Sequence, residues 1–432
     1  MTSLYRAIRL VGMEFVKFAL RVRRWVMECQ GMSETADIVV VGGGCIGAAI
    51  ALHLAEQQAG KVLLLEQKQL ANGASGKGIG IIRTHYTHPV LAKLAYASLQ
   101  LFHNFEERFG GYDSGFNPCG YFILVGDSDV DTLKDVVSMH QPLGIDVQMV
   151  SPAEAQAQMP FLRIDDVAAA AYEPNSGYGS PPKTTIALAN RAAELGVEVR
   201  TETPVTGIKL DLEGRIEAVS TPTGDIATRT VVDCVGPWAR KFTEALGLPF
   251  PVSPVVEHVV VMERPTEYAA PHPVVSDLVN LCYVRSDADQ PYTRIGNSDP
   301  KYHPQFLLPD ADQFHGQQFP DICETLQQKL IRRCPILETA PVVETYSGIW
   351  GITPDYQPII DRLDHIPGLY CAVGFSGHGY KLSPIIGDLM SRFILGKIDD
   401  QVKLLDLFRF SRFQENSLIQ PPIRYARAGG LR

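Results

Sequence analysis

Apolar positions along the chain follow two periods, unbroken short runs and runs at helical spacing, and the two alternate from Ala36 onward. Ala36-Asp-Ile-Val-Val-Val41 is an apolar run suited to a parallel strand buried on both faces, and Gly42-Gly43-Gly44 closes it. Cys45 to Ala59, rich in Ala, Ile and Leu and stopped by Gly60, predicts a helix; Lys61-Val-Leu-Leu-Leu-Glu66 predicts a second buried strand. Leu91, Leu94, Ala95, Leu99, Phe102 and Phe105 recur at the spacing of a long helix with one buried stripe. Pro181 to Leu195 also reads as helical, and the runs at 196–200, 205–208 and 230–235 read as further strands of the first domain. Gly115 to Val125 and Pro251 to Met262 are β-rich and cut by Pro and Gly, so they predict strands of a second, mixed sheet.

These elements define an α/β fold in which two domains interleave. The expected division gives 36–115, 165–250 and 342–400 to a Rossmann-type domain, and 116–164 with 251–341 to a substrate domain. Residues 1–35 form a basic amphipathic appendage and 401–432 a polar tail. In the appendage Arg6, Arg9, Lys17, Arg21, Arg23 and Arg24 alternate with apolar residues, and its apolar run falls short of the ~20 residues a membrane span needs. It reads most simply as a segment ahead of a second start at Met32. An organelle-targeting signal, or a contact with a membrane surface or partner subunit, is the competing reading.

Charge narrows the choice of partner: 39 Lys+Arg against 48 Asp+Glu leave a net charge of −9 and no basic footprint for nucleic acid. The eight cysteines never form a C-x-x-C pair, which suits a reducing compartment and a cytoplasmic location. His85 and His88 lack a companion cluster at ligand spacing, so no metal is expected. No G-x-S-x-G elbow supports a serine nucleophile.

The chemistry lies in the glycines. Gly42-x-Gly44-x-x-Gly47 stands between the first strand and the first helix, and Glu66 closes the next strand. The first glycine permits the turn, the second admits a pyrophosphate to the backbone, the third lets helix and strand pack, and the acid accepts from a ribose. Asn72-Gly-Ala-Ser-Gly76 supplies small residues for a second loop, and Gly236 with Trp238 follows another strand. Tyr370 to Lys381 runs from a strand into a loop holding Gly374, Gly377 and Gly379, with a helix expected from Pro384 to Leu395. Backbone amides of such a loop stabilise the negative edge of a reduced flavin, with Lys381 adding charge and His378 standing as a proton donor or packing residue.

Taken with Ile81-Ile-Arg83, Val235-Gly-Pro-Trp238 and Thr353-Pro-Asp355, these motifs resemble the D-amino-acid-oxidase-like flavoproteins, especially sarcosine oxidases, their β-subunit relatives and glycine oxidase, from about Ala36 to Gly396. The resemblance implies FAD held by Gly42, Gly44, Cys45, Ile46, Gly47, Glu66 and Gln67, by Gly73, Ala74, Ser75 and Gly76, by Val205, Gly236 and Trp238, and by Gly374, Phe375, Ser376, Gly377, His378, Gly379, Tyr380 and Lys381. It further implies oxidation of a C–N bond in an amino acid or secondary amine by hydride transfer to flavin N5, with hydrolysis of the imine. Oxygen or a separate acceptor then takes the electrons. Arg83 and Lys381 fall where sarcosine oxidases bind a substrate carboxylate, a task suited to a guanidinium fork and an ammonium in one pocket. Tyr283 and Arg285 fall where glycine-oxidase relatives place pocket residues, and Arg294 where oxidases carry an oxygen-activating lysine.

The chain also departs from the pattern. The cysteine that precedes Thr-Pro-Asp in monomeric sarcosine oxidases is missing from Tyr346 to Asp355, so a non-covalent flavin is expected. Gly76 and Gly80 stand where those enzymes have a His and a second Arg before the Ile-Ile-Arg triplet, so the substrate is expected to differ. Asn117-Pro-Cys-Gly-Tyr121 and the C-terminal part also resemble a mitochondrial FAD-dependent protein linked to respiratory-complex assembly, which supplies a non-catalytic alternative.

Overall fold

The structure is a computed structural model that describes residues 34–426. Of the expected N-terminal appendage, residues 1–33 lie outside the described residues; Glu34–Thr35 already pair with Gly224–Ala227 in a four-stranded sheet. Ile38–Val41 and Val62–Leu65 pair in parallel, and the sheet extends through Val231–Asp233 and Leu369–Val373 on one side and Glu198–Arg200 on the other. Ile359–Arg362 completes it as an antiparallel edge. Every residue of the two inner runs, Ile-Val-Val-Val and Val-Leu-Leu-Leu, is buried, because helices or strands cover both faces of a parallel sheet.

Cys45–Glu56 packs against both Pro181–Glu194 and Gly379–Ile394. Its closest crossing is at Gly387, where a Cβ would come within 2.7 Å of the Ala49 backbone. Small residues at this crossing bring two helices together so that their N-terminal ends face the same region. The last helix begins earlier than its proline suggests, at Gly379 rather than Pro384. Pro384 has no N–H for the Tyr380 carbonyl, and the Ser383 hydroxyl donates to that carbonyl instead at 2.8 Å. Lys381 therefore lies in the first turn of a helix.

The second sheet has eight strands in the spatial order 342–352, 253–263, 292–297, 282–286, 274–277, 121–125, 169–173, 148–150. It is mixed, with Val274–Asp277 parallel to Tyr121–Val125 and the other neighbours antiparallel. Pro320–Arg333 covers one face through Ile322, Leu326 and Leu330, spaced four apart. Three strands pair outside the six-stranded sheet. Ala169–Glu173 and Val342–Ile352, read from sequence with the Rossmann domain, hydrogen-bond into this second sheet. Gly207–Leu210 belongs to the four-stranded sheet, which is antiparallel except where Glu34–Thr35 joins it in parallel.

The expected polar tail is part of the body as far as it is described. Val402, Leu405 and Phe408 enter the core, and Arg412 is wholly buried with both guanidinium edges on Asp355 at 2.8 and 3.0 Å. Among the described residues, no helix is long and apolar enough to cross a membrane.

Candidate active site

A cavity of about 560 Å³ opens at the carboxyl ends of the parallel strands, where ligands of open α/β sheets bind. Gly42, Gly44, Cys45 and Ile46 line it from the first turn, Glu66 and Gln67 from the second strand end, and Gly73, Ala74 and Ser75 from the following loop. Val205, Gly236 and Trp238 add a further wall. Gly42 needs its freedom, since its φ is +110° and a Cβ would meet the Cys234 carbonyl at 2.5 Å. Gly47 faces the protein, where a Cβ would come within 2.0 Å of the Gly42 carbonyl, so it packs helix on strand and does not line the cavity. Gly76 is likewise closed off by the Ala71 carbonyl, 2.3 Å from its notional Cβ.

Gly44 differs from both. A Cβ there would meet only the Ser75 hydroxyl, at 3.2 Å, so the missing side chain leaves open space on the cavity side rather than room for protein. The helix that follows has no cap from Gly44 itself and no acid in its first turn, and of its leading amides that of Cys45 donates to the Ser75 hydroxyl at 3.1 Å. Such a helix start, without an acid and beside an open glycine, fits a pyrophosphate. Glu66 is pinned by the Gly43 and Lys68 amides, at 2.7 and 2.8 Å, with its carboxylate on the wall.

The other end of the cavity is formed by Gly374, Phe375, Ser376, Gly377, Gly379 and Tyr380. Ser376 has φ +49°, and its hydroxyl accepts from the Thr353 amide at 3.2 Å and donates to the Gly374 carbonyl at 3.2 Å, which fixes the strained turn. Gly377 lies against the Trp350 ring, 2.8 Å from a notional Cβ. The helix from Gly379 also starts without a side-chain cap or an acid. Two helix N-termini thus meet one cavity, and both favour negative charge.

The candidate cations lie behind this wall, in two groups. In the first, Arg83 stacks 4.5 Å over the Tyr86 ring, whose hydroxyl pairs with His378 Nδ1 at 2.9 Å. Lys381 is buried, with Nζ 3.5 Å from the Gly377 carbonyl and no carboxylate within 4.0 Å among the described residues. Burial, and then the Arg83 guanidinium, hold the Lys381 ammonium well below the usual lysine range. Burial also keeps His378 neutral and pushes the Tyr86 phenol up to about 12. Arg83, His378 and Lys381 therefore share one interior region that adjoins the cavity without lining it.

In the second group Tyr283, Arg285 and Arg294 stand on paired strands of the eight-stranded sheet. The Tyr283 ring lies over Gly296 of the neighbouring strand, where any Cβ would clash within 2.2 Å. Arg285 stacks 4.1 Å from the Tyr178 ring and pairs with Asp287 at 3.2 Å, leaving its buried Nε without a partner. Arg294 takes the same Asp287 in a fork at 2.9 to 3.1 Å. Burial opposes the Arg294 charge, but the Asp287 bonds outweigh it and raise the pKa.

Several wall residues carried no signal in the sequence. Lys68, Thr203 and Asp312 sit in loops and turns without a motif, Lys241 lies in the short helix Ala239–Glu244, and Trp350 is a strand residue that only the sheet order brings to the cavity. Trp238 was legible, but not the bond from its Nε1 to Asp312 at 2.7 Å.

A six-stranded, mainly parallel sheet with a dinucleotide-shaped cavity at its strand ends, flanked by a mixed sheet bearing paired cations, defines a two-sheet dinucleotide-dependent oxidoreductase. The chain belongs to the DAO family, described as FAD dependent oxidoreductase, whose family model matches residues 37–393. FAD is accordingly its cofactor, and the open cradle at Gly44 and the two acid-free helix starts fit that group. The chain is 27% identical over 390 residues to the mitochondrial sarcosine dehydrogenase of Mus musculus, covering 88% of this chain and 42% of that protein. It spans less than half the length of the curated sarcosine and dimethylglycine dehydrogenases it matches. Among solved structures, L-proline dehydrogenase from P. horikoshii superposes with a TM-score of 0.80 at 24% identity, covering 90% of this chain and all of that one. Glycine oxidase from Geobacillus kaustophilus superposes at 0.74 with 27% identity, covering 85% and 96%.

Proposed function

We propose that this protein oxidises the C–N bond of a carboxylate-bearing amine, a sarcosine-like secondary amine or another N-substituted or D-amino acid, to an imine that water hydrolyses. FAD, when bound, supplies the hydride acceptor. The chain's own residues bind and orient. The observation that carries the reading is Lys381, a buried ammonium in the first turn of the helix that ends the cavity, beside Arg83 and without a carboxylate partner. A substrate carboxylate would restore its full charge and fix the α-carbon toward the cavity. Tyr283 and Arg285, with its orphaned Nε, supply a second polar surface on the opposite sheet.

Lys381→Met should raise KM for an amino-acid substrate by about ten- to a hundredfold, the equivalent of about 1.5–3 kcal/mol for a charged hydrogen bond. It should leave the residual turnover of the matching decarboxylated amine, weak already in the wild type, unchanged. Equal losses on both substrates would overturn the assignment.

Cys45 and Cys234 are the cysteines on the cavity wall, and burial pushes both thiols up, away from nucleophilic thiolates. This supports a non-covalent flavin. Arg294 is committed to Asp287, which supports an electron acceptor other than oxygen, because no compact ammonium stands at that position. The rival reading, an FAD-binding assembly protein without turnover, draws on Arg83, Lys381, Tyr283, Arg285 and Arg294 all standing off the cavity wall. We read the location as cytoplasmic from the scattered cysteines; the mitochondrial names of several relatives make cell fractionation the check.

A further inference from the structure

His85, His140 and Glu173 come from three separate stretches: the segment after the strand Ile81–Ile82, the end of the helix Val130–His140, and the end of the strand Ala169–Glu173. No sequence spacing links them, and the expectation that His85 lacks companions is corrected by the fold. All three side chains are buried, at 0, 0 and 1% exposure. One polar atom of each is held by the protein. His85 Nε2 meets the Tyr425 hydroxyl at 2.7 Å, and His140 Nε2 meets the Tyr86 carbonyl at 2.8 Å. Glu173 Oε2 accepts from the Thr84 amide at 3.0 Å and the Ser176 hydroxyl at 2.6 Å.

The other polar atom of each, His85 Nδ1, His140 Nδ1 and Glu173 Oε1, has no hydrogen-bond partner. One ligand atom of each residue lies within 4.8 Å of the other two, and His85 Nδ1 is 3.9 Å from Glu173 Oε1. A carbonyl only accepts, so His140 Nε2 must donate to Tyr86, and its Nδ1 is a bare lone pair. In the tautomer in which His85 Nε2 donates to the Tyr425 hydroxyl, three electron-pair donors converge on one point in the interior, which native structures rarely leave unsatisfied.

We propose that His85, His140 and Glu173 form a buried site for one divalent cation of the zinc type, completed by a water. Two imidazoles and one carboxylate are the donors zinc accepts, whereas magnesium and calcium take oxygen ligands. Each ligand is already oriented from behind by a carbonyl, a hydroxyl or an amide, as metal ligands commonly are. Tetrahedral zinc–ligand bonds of about 2.0–2.2 Å set ligand atoms roughly 3.4 Å apart, so the widest pair would close by up to about 1.4 Å. Arg83 is a like charge acting on the same cluster, so affinity is held below that of a four-ligand structural site. The site would clasp the C-terminal segment, through Tyr425, to the strand and helix beneath it. It stands independently of the flavin reading.

The test uses the full-length FAD-loaded protein, stripped with a chelator and equilibrated by dialysis against micromolar zinc, with metal counted by mass spectrometry and Tm read in parallel. The expected result is close to one zinc per chain and a zinc-dependent rise in Tm. Both should be lost in Glu173→Gln, an isosteric change, and in His140→Ala, and kept in His315→Ala, whose side chain is exposed. Wild-type protein that takes up no zinc, with solvent density alone between the three side chains in a crystal, would overturn the proposal. So would zinc retained in both ligand variants.

Discussion

Asp233 ends the strand beside the first glycine turn, wholly buried, with one oxygen accepting from the Val235 amide at 3.1 Å and the other without a partner. Burial raises its pKa from 3.8 to about 7. Because the folded value exceeds the unfolded one, its contribution to stability is complete below about 4 and is lost as pH rises toward 7. Asn keeps the acceptor and removes the charge. Asp233→Asn should therefore match wild type at pH 4 and exceed it increasingly up to pH 7, by at most a few kcal/mol at about 1.4 kcal/mol per pK unit. Melting curves across that range check it, and a difference that does not change with pH would contradict it. The same residues show where sequence reading stops. The glycines, Glu66 and Lys381 were legible because each has a spaced or local pattern around it. That Tyr86, under Arg83, meets His378, or that His85 meets His140 and Glu173, depends on contacts distant in sequence.

The turn and helix from Gly42 to Glu56 separate two jobs that one motif compresses. Gly44→Ala adds a methyl that touches only the Ser75 hydroxyl, so the variant should fold with a native Tm in the FAD-free state and bind FAD at least tenfold more weakly. Gly47→Ala drives a Cβ to within 2.0 Å of the Gly42 carbonyl, so the helix must move off its strand and the protein should lose stability before cofactor is added. Circular dichroism and FAD titration of the pair decide between them; two variants that behave alike would show that the glycines are not divided in this way. Element type was largely legible. Cys45–Glu56, Pro89–His103 and Pro181–Glu194 fall where the apolar spacing puts them. Sheet membership was not, because Ala169–Glu173 and Val342–Ile352 read equally well as strands of either sheet and only pairing with distant partners decides. The last helix escaped its expected start because a side-chain hydroxyl meets the carbonyl its proline leaves bare.

At the scale of the molecule, the C-terminal segment closes the body over the loop that holds Thr353 and Asp355. Arg412 donates to both Asp355 oxygens and to the Phe408 and Gln357 carbonyls, and the Ile419 amide donates to the same carboxylate. A polar composition hid this, since a buried ion pair and a solvated one look alike in sequence. Arg412→Met leaves a buried carboxylate without its cation and should cost about 3–5 kcal/mol in urea unfolding; a loss under 1 kcal/mol would mean the segment is only draped on the surface. The central claim is that fold, cavity and buried cations together make a dehydrogenating site for a carboxylate-bearing amine. Its most direct test is anaerobic titration of the FAD-loaded protein with N-methyl, D- and L-amino acids, each beside its decarboxylated counterpart, following flavin absorbance. The account predicts bleaching by at least one amino acid and little or none by its decarboxylated partner, whereas a flavin that stays oxidised throughout, or that bleaches equally with both, would contradict it.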